Sequence, residues 1–193
     1  MHRKLSVVVV AALAALLVAA PAASAAPSKA RASFGWYYGV TTLDVDPGTL
    51  SALGSLGVSP GAVAPATLEG ARYSFPITNS LGSTLRSGVV LHKGGISLTA
   101  GATTVNLTDF DINLMRRQLF GRVNGSADKL PLLNLEYTGI GIRFGGGSLN
   151  IGPVTATLTD TAAGALNAAF GTTVLSSSTV LGKATIRYRV FPF

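Results

Sequence analysis

The chain has 193 residues, carries 15 Lys and Arg against 8 Asp and Glu, and contains no cysteine. Disulfide frameworks and cysteine-based zinc sites are thereby excluded. The net charge of +7 fits simple solubility or weak attraction to acidic surfaces. No nucleic-acid partner is predicted, because the basic residues do not form a dense stripe interleaved with aromatic side chains.

The first 25 residues have the pattern of a secretory signal peptide. A basic head at 1–4 precedes an apolar run at 5–20, and small residues at 23–25 supply a cleavage site. An uncleaved membrane anchor is the alternative, but the short apolar run and the cleavage pattern favour removal. No later apolar segment reaches the roughly 20 residues that a membrane span needs. We therefore predict a secreted or cell-surface protein without a membrane span after cleavage.

The remainder is interpreted as a flexible leader over 26–33 and a single β-rich domain over 34–193. Within that domain apolar and polar side chains alternate with a period of two, which is typical of strands with one buried face. The clearest alternations are at 109–114, 133–138, 140–144 and 186–190, and weaker ones are at 71–77, 84–92, 95–99, 103–108, 117–123 and 154–158.

Glycine-rich and Asn-Gly turns separate these segments at 94–95, 100–101, 124–125 and 145–147. Short strands joined by such turns are typical of antiparallel sandwiches and barrels. We predict an all-β fold, an antiparallel β-sandwich-like domain with two short helices.

The first of these helices begins after Asp46, a good N-cap, with Pro47 in the first helical position, and Gly57 closes it. The second begins near Asp160 and ends at Gly171. In the second helix four side chains share one face: Ala162, Leu166, Ala169 and Phe170. The segment 58–66 between the first helix and the next strand is expected to be an irregular connection.

Motifs for catalysis and metal binding are incomplete. After signal cleavage His92 is the remaining histidine. A zinc site therefore lacks enough ligands, and a serine triad would have to use His92 as its base. Ser126-x-x-Lys129 lies in a turn and lacks the companion motifs of serine acylases. The segment 109–113 resembles the opening of a calcium loop but lacks the glycine and the final glutamate of such a loop. Its polar residues are therefore expected to lie on the solvent-exposed face of a strand. We predict no enzymatic activity; a hydrolase acting through two close carboxylates is the weaker alternative.

One segment resembles a known family. Gly88-Val89-Val90-Leu91-His92-Lys93-Gly94-Gly95-Ile96-Ser97-Leu98 is similar to the central motif of HtaA-type haem-uptake domains, which are exported modules of actinobacterial cell envelopes. Further similar segments are the strand at 73–77, the strand at 130–135, the hairpin at 146–151 and the run at 154–159. The likeness spans about 70–190 and implies an all-β fold that binds haem as its cofactor.

The resemblance also implies site residues. His92 matches the family's haem-pocket histidine, and the family binds the iron with a tyrosine in an N-terminal segment that begins with Trp-Gly and continues as a helix. Here the order is Gly35-Trp36 and the helix after it has no tyrosine, so Tyr37, Tyr38 and Tyr73 are the substitutes.

Parity along one strand places Arg86 on the face of His92, where an arginine could meet a haem propionate. The alternative is that both side chains simply lie on a solvated strand face.

Two function hypotheses follow. The first is an exported, non-enzymatic binding module for haem or another small apolar ligand, with cell-wall or surface components as further partners. The second is a structural or adhesive envelope domain without a small-molecule site. A tyrosine hydroxyl facing His92 across an apolar cleft favours the first hypothesis, and a tightly filled core under His92 favours the second.

Overall fold

The computed structural model describes residues 37–190, so the predicted signal peptide and leader lie outside the described residues. The strands are β1 (Gly39–Val45), β2 (Ser59–Val63), β3 (Thr67–Glu69), β4 (Arg72–Ile77), β5 (Val89–Leu91), β6 (Gly95–Ala100), β7 (Thr103–Asn113), β8 (Gln118–Val123), β9 (Leu130–Glu136), β10 (Gly141–Gly145), β11 (Ser148–Leu158) and β12 (Val180–Arg189). The helices are α1 (Pro47–Ser55), α2 (Leu81–Ser87) and α3 (Asp160–Phe170). None of these helices is long and apolar enough to cross a membrane.

All twelve strands belong to one antiparallel sheet, which confirms the predicted all-β class. The order is β2-β6-β7-β8-β9-β11-β12-β1-β4-β3, with β10 added to β11 and β5 added to β7. A single bridge between Ile77 at the end of β4 and His92 just after β5 joins the two ends of the curved sheet. The sheet therefore nearly closes into a barrel, and its inward faces pack on each other as in a sandwich.

Alternating side chains of the strands fill the space that the sheet encloses. In β1 the inward residues Leu43 and Val45 are buried, whereas Asp44 between them is exposed. Across the interior the ring of Phe75 on β4 meets that of Phe110 on β7 edge to face, with centroids 5.3 Å apart. Opposite parts of the sheet thus share one apolar core.

Both predicted helices are confirmed, and their end signals act as expected. The carboxylate of Asp46 accepts a hydrogen bond from the backbone N–H of Thr49 at 3.1 Å, which caps α1. The hydroxyl of Thr159 accepts from the N–H of Ala162 at 3.1 Å, which caps α3. Gly171 then ends α3 in the left-handed conformation. These two helices lie over the interior of the sheet.

Two local predictions are wrong. The segment 84–92 is not one strand: the hydroxyl of Ser80 caps a third helix, α2, which ends at Gly88 with φ +69° before β5 begins. The segment 58–66 is not wholly irregular, because 59–63 form β2 and pair with β6 through the backbone despite containing Pro60. Capping of α2 in the first segment, and backbone pairing of the edge strand β2 in the second, determined the structure more strongly than the pattern of apolar residues.

The predicted strands at 103–108 and 109–114 are one long strand, β7. A bulge joins them, because the pairing with β8 shifts between Thr108 and Asp111 and Asp109 has φ +53°. The bulge keeps Phe110 and Ile112 facing the interior, where both are buried.

Candidate functional site

The interior of the sheet contains a cavity of about 330 Å³. Its wall is drawn from opposite parts of the sheet and from α1 and α3. The apolar lining consists of Leu43, Val45, Leu50, Leu53, Pro60, Phe75, Ile96, Leu98, Val105, Leu107, Phe110, Ile112, Leu119, Val123, Leu132, Leu133, Leu135, Ala156, Leu158, Ala162, Ala165, Leu166, Ala169, Leu175, Leu181 and Ala184. This volume lies within the range of small-molecule sites, which is roughly 300–1,000 Å³.

No lysine, arginine, aspartate or glutamate lines the cavity among the described residues. The polar side chains in its wall are Thr41, Thr49, Tyr73, His92, Asn124 and Thr179. The hydroxyl of Tyr73 donates to the carbonyl of Gly61 at 3.1 Å, and the hydroxyl of Thr49 donates to the carbonyl of Val180.

The polar groups nearer the surface are also engaged. The side-chain oxygen of Asn124 accepts from the N–H of Asn106 at 2.8 Å, and the hydroxyl of Thr179 accepts from the N–H of Ser176 at 3.1 Å. Few polar side-chain atoms in the described wall therefore lack a hydrogen-bonding partner.

His92 is held in this wall by backbone and side-chain bonds. Its N–H donates to the carbonyl of Phe110 at 2.9 Å, and the next residue, Lys93, donates to the carbonyl of Pro76 at 3.1 Å. The chain then turns at Gly94, which has φ +81°. A strand segment between β4 and β7 thus fixes the imidazole, which is 5 % exposed.

Both ring nitrogens of His92 have partners. Nδ1 lies 3.1 Å from the carbonyl oxygen of Phe110, and Nε2 lies 2.7 Å from the hydroxyl of Thr41. Because a carbonyl can only accept, Nδ1 carries the proton and Nε2 accepts from Thr41. Burial lowers the pKa of His92 to about 4; the bond to the carbonyl of Phe110 raises this pKa by less than burial lowers it, and the positive charge of Lys129 adds a still smaller lowering. The imidazole is neutral at physiological pH.

The three candidate tyrosines lie in different environments. Tyr73 lines the cavity beside Phe75, and burial raises its pKa to about 12. Tyr37 and Tyr38 lie just before β1 and are not among the residues that line the cavity, and Tyr38 is 51 % exposed. The structure brings Tyr73 and His92 to one cavity wall, but the hydroxyl of Tyr73 is bonded to a backbone carbonyl.

Arg86 does not share a strand with His92. It lies exposed near the end of α2, so the predicted strand face shared by Arg86 and His92 is wrong. The structural reason is the left-handed turn at Gly88, which separates the helix from β5. Arg86 is outside the cavity lining, and its predicted role toward a ligand stays a prediction.

The cavity reaches the surface beside α3. Ala165 and Ala169 on α3 and Asn124 in the turn after β8 all line the cavity and are exposed. We call these three residues the mouth of the cavity. Ala168 on the same helix is exposed as well but does not line the cavity. The mouth combines residues from distant parts of the sequence, although the inward face of α3 was visible in the sequence pattern.

Residues 109–113 form ion pairs on the outside of the sheet. The carboxylate of Asp111 lies 2.6 Å from Lys129 Nζ, and that of Asp109 lies 3.8 Å from Lys93 Nζ. Within residues 37–190 no group of three or more metal-ligating side chains was found.

Comparisons with known proteins place the fold. No protein-family model matches the chain, and no curated protein matches it significantly. The C-terminal domain of HtaA from Corynebacterium glutamicum superposes with a TM-score of 0.53 and 10 % identity, covering 79 % of this chain and 96 % of that domain. The chain has an HtaA-type fold.

The haem-binding protein HtaB from Corynebacterium glutamicum is also similar, with a TM-score of 0.49, 12 % identity and coverage of 78 % of this chain and 92 % of that one. The HtaA-type fold confirms the family resemblance in architecture, and at such low identity the ligand has to be argued from the cavity itself.

Proposed function

We propose that this chain is an exported, non-enzymatic binding module that uses an HtaA-type fold to hold a small apolar ligand in its internal cavity. The observation that carries the proposal is the cavity of about 330 Å³ with an almost wholly apolar wall. Burial of apolar ligand surface is the driving force that such a wall offers. The signal-peptide pattern at 1–25 supports a secreted or cell-surface location.

A purely structural domain is the alternative, and the cavity argues against it. At about 24 cal/mol per Å³, a closed and empty void of this volume would cost about 8 kcal/mol, which is an upper bound for a cavity with a mouth. That cost is comparable with the whole stability of an ordinary domain, about 5–15 kcal/mol. A domain with only a mechanical role would gain stability if side chains filled the space under His92, whereas a binding module needs that space for its ligand.

Haem is the ligand that the resemblance implies, and the cavity does not fit it. Haem iron needs an axial donor, and its propionates favour nearby cations. Both ring nitrogens of His92 and the hydroxyl of Tyr73 are hydrogen-bonded within the protein, and no cation lines the cavity among the described residues. Haem binding therefore stays a prediction that needs another site or the opening of the Thr41–His92 bond.

The absence of charged side chains from the described wall also supports a non-enzymatic role. General acid–base chemistry needs a titratable group within reach of the substrate, with a pKa near the working pH. The titratable groups in the wall are His92, with a pKa of about 4, and Tyr73, with a pKa of about 12. Neither is poised for proton transfer near neutral pH.

The proposal is tested by titrating residues 26–193 with two neutral apolar probes. Binding of 1-aminoanthracene is followed by fluorescence and binding of dodecan-1-ol by calorimetry, and each is expected to saturate near one equivalent. Ala169→Trp, which narrows the mouth, is expected to weaken both at least tenfold. Ala168→Trp, one residue away on the same helix but outside the lining, is expected to leave both unchanged. If neither probe binds saturably to the folded wild-type protein, the proposed function is wrong.

A parallel hemin titration followed by absorbance separates the two ligand classes. The spectrum is expected to equal that of free hemin plus protein. A saturable Soret band near one equivalent that changes in His92→Ala would favour haem instead.

A further inference from the structure

The volume of the cavity limits the size of its ligand. An engineered cavity of about 150 Å³ in another protein accommodates a benzene ring with six heavy atoms. The present cavity, at about 330 Å³, is about twice as large, which corresponds to roughly 12 to 14 heavy atoms. Haem, with about 40 heavy atoms, exceeds that number threefold, whereas one alkyl chain of medium length matches it.

The direction of the cavity fits a chain that enters by one end. Along β7 the lining runs from Val105 to Ile112, which is seven residue steps and at most about 23 Å, because the bulge at Asp109 shortens the strand. The mouth at Asn124, Ala165 and Ala169 is exposed, whereas His92 in the same wall is buried. An entering molecule thus passes from exposed residues at the mouth to buried side chains in the interior.

The polar side chains of the cavity wall indicate where the polar end, or head group, of a chain-like ligand would lie. The hydroxyls of Thr41, Thr49 and Tyr73 are all engaged in bonds within the protein, and no charged side chain of the described residues lines the cavity. A charged or strongly polar group taken inside would lose its hydration without compensation. The head group therefore remains in water at the mouth, and the interior selects for the chain alone.

We infer that the ligand is a single-chain alkyl lipid, bound with its tail in the cavity and its head group at the mouth beside α3. This inference rests on the proposed function and names its ligand class. The chemistry of the cavity distinguishes this chain from a haem carrier. The cavity has a modest volume and an apolar wall, and the donors and acceptors in that wall are already hydrogen-bonded within the protein.

A homologous series tests the inference. Straight-chain fatty acids of 8, 10, 12, 14 and 16 carbons, each below its micellar concentration, compete with 1-aminoanthracene for residues 26–193. Burial of one methylene group is worth about a fourfold gain in affinity. The affinity is therefore expected to rise two- to fourfold per carbon up to about 12 to 14 carbons and then level off, because the cavity is full. A set of primary alcohols of the same lengths controls for the head group and is expected to give the same dependence on chain length.

The variants Ala169→Trp and Ala168→Trp locate the chain. Ala169→Trp is expected to lower the affinity for the 12-carbon acid at least tenfold, and Ala168→Trp less than twofold. If Ala169→Trp does not fold, Ala165→Leu at the same mouth replaces it, with a smaller expected loss of about threefold or more.

The outcomes separate the two proposals. If 1-aminoanthracene binds but the series shows no dependence on chain length, the alkyl-chain inference is wrong and the binding module stands. If the affinity keeps rising at the same rate from 12 up to 16 carbons, the ligand lies on an open surface and the inference is also wrong. If neither 1-aminoanthracene nor any chain binds, the proposed function itself fails.

Discussion

The hydroxyl of Thr41 on β1 lies 2.7 Å from Nε2 of His92, across the joint where the curved sheet closes between β4 and β5. Both side chains are buried and both line the cavity. The bond therefore completes the cavity wall and satisfies the one imidazole nitrogen that could otherwise face a ligand. The histidine of the family-like motif acts here as a structural part of the wall.

Removal of that hydroxyl should leave Nε2 without a partner. Thr41→Val keeps the shape of the side chain and is expected to lower the free energy of unfolding by about 1–3 kcal/mol, the cost of a buried unsatisfied acceptor. Urea unfolding of residues 26–193 measures it. Thr41→Ser retains the hydroxyl and should cost less than Thr41→Val. A neutral Thr41→Val would show that the bond does not stabilise the fold.

The stability of the domain should fall as the pH is lowered toward 5. Burial holds the pKa of His92 at about 4, below the value of 6.5 that it has when exposed. The unfolded chain therefore binds the proton first, so the stabilising effect is complete above pH 6.5 and is lost as the pH falls toward 4. The expected loss between pH 7 and pH 5 is about 2 kcal/mol.

The measurement is urea unfolding at several pH values, compared between the wild type and His92→Gln. The variant should lose this part of the pH dependence while keeping that of the carboxylates. An equal dependence in both proteins would mean that folding does not change the pKa of His92.

The turn that follows His92 depends on a glycine. Gly94 has φ +81°, and a Cβ there would lie 2.4 Å from the backbone nitrogen of Ala66. Gly94→Ala is expected to lower the free energy of unfolding by about 3 kcal/mol or more, because strain adds to a steric overlap. Gly101→Ala is the matched control, since its φ is +56° and no atom lies within 4 Å of the added Cβ. That control should cost about 1–2 kcal/mol, and an equal cost at both positions would refute the argument from close packing.

The inward face of α3 should matter for stability in proportion to its burial. Leu166 is 7 % exposed and lines the cavity, so Leu166→Ala is expected to cost about 2–3 kcal/mol, the low end for such truncations, because part of its surface faces empty space. Leu85 on α2 is 76 % exposed, and Leu85→Ala should change stability by less than about 0.5 kcal/mol. Thermal unfolding of the pair checks this, and equal shifts would contradict the assignment of α3 to the core.

Local signals in the sequence predicted much of the fold. Asp46 with Pro47, and Gly171 after an amphipathic run, marked the ends of α1 and α3 because capping depends on residues close in the chain. Alternation located most of the strands for the same reason. The strand predicted through Arg86 failed because Ser80 and Gly88 are themselves helix-end signals, which weigh more than a weak alternation.

The site was harder to predict because it is assembled from distant residues. The motif around His92 identified a residue of the cavity wall, but its partner Thr41 lies 51 residues away in the chain. Nothing local distinguishes a histidine that binds a ligand from one whose nitrogens are both paired in the fold. The mouth likewise combines Asn124 with Ala169, which lie 45 residues apart in the chain and line the same cavity, and the cavity volume depends on how the whole sheet curves.

The most direct test is nuclear magnetic resonance of residues 26–193 with bound ¹³C-labelled dodecan-1-ol. We expect nuclear Overhauser effects from the methylene chain to the ring of Phe75 and to the methyl groups of Leu133 and Leu166, all of which line the cavity. Effects confined to exposed apolar side chains such as Ile142 and Phe144, or no effects at all, would contradict the claim that this domain holds its ligand inside the sheet.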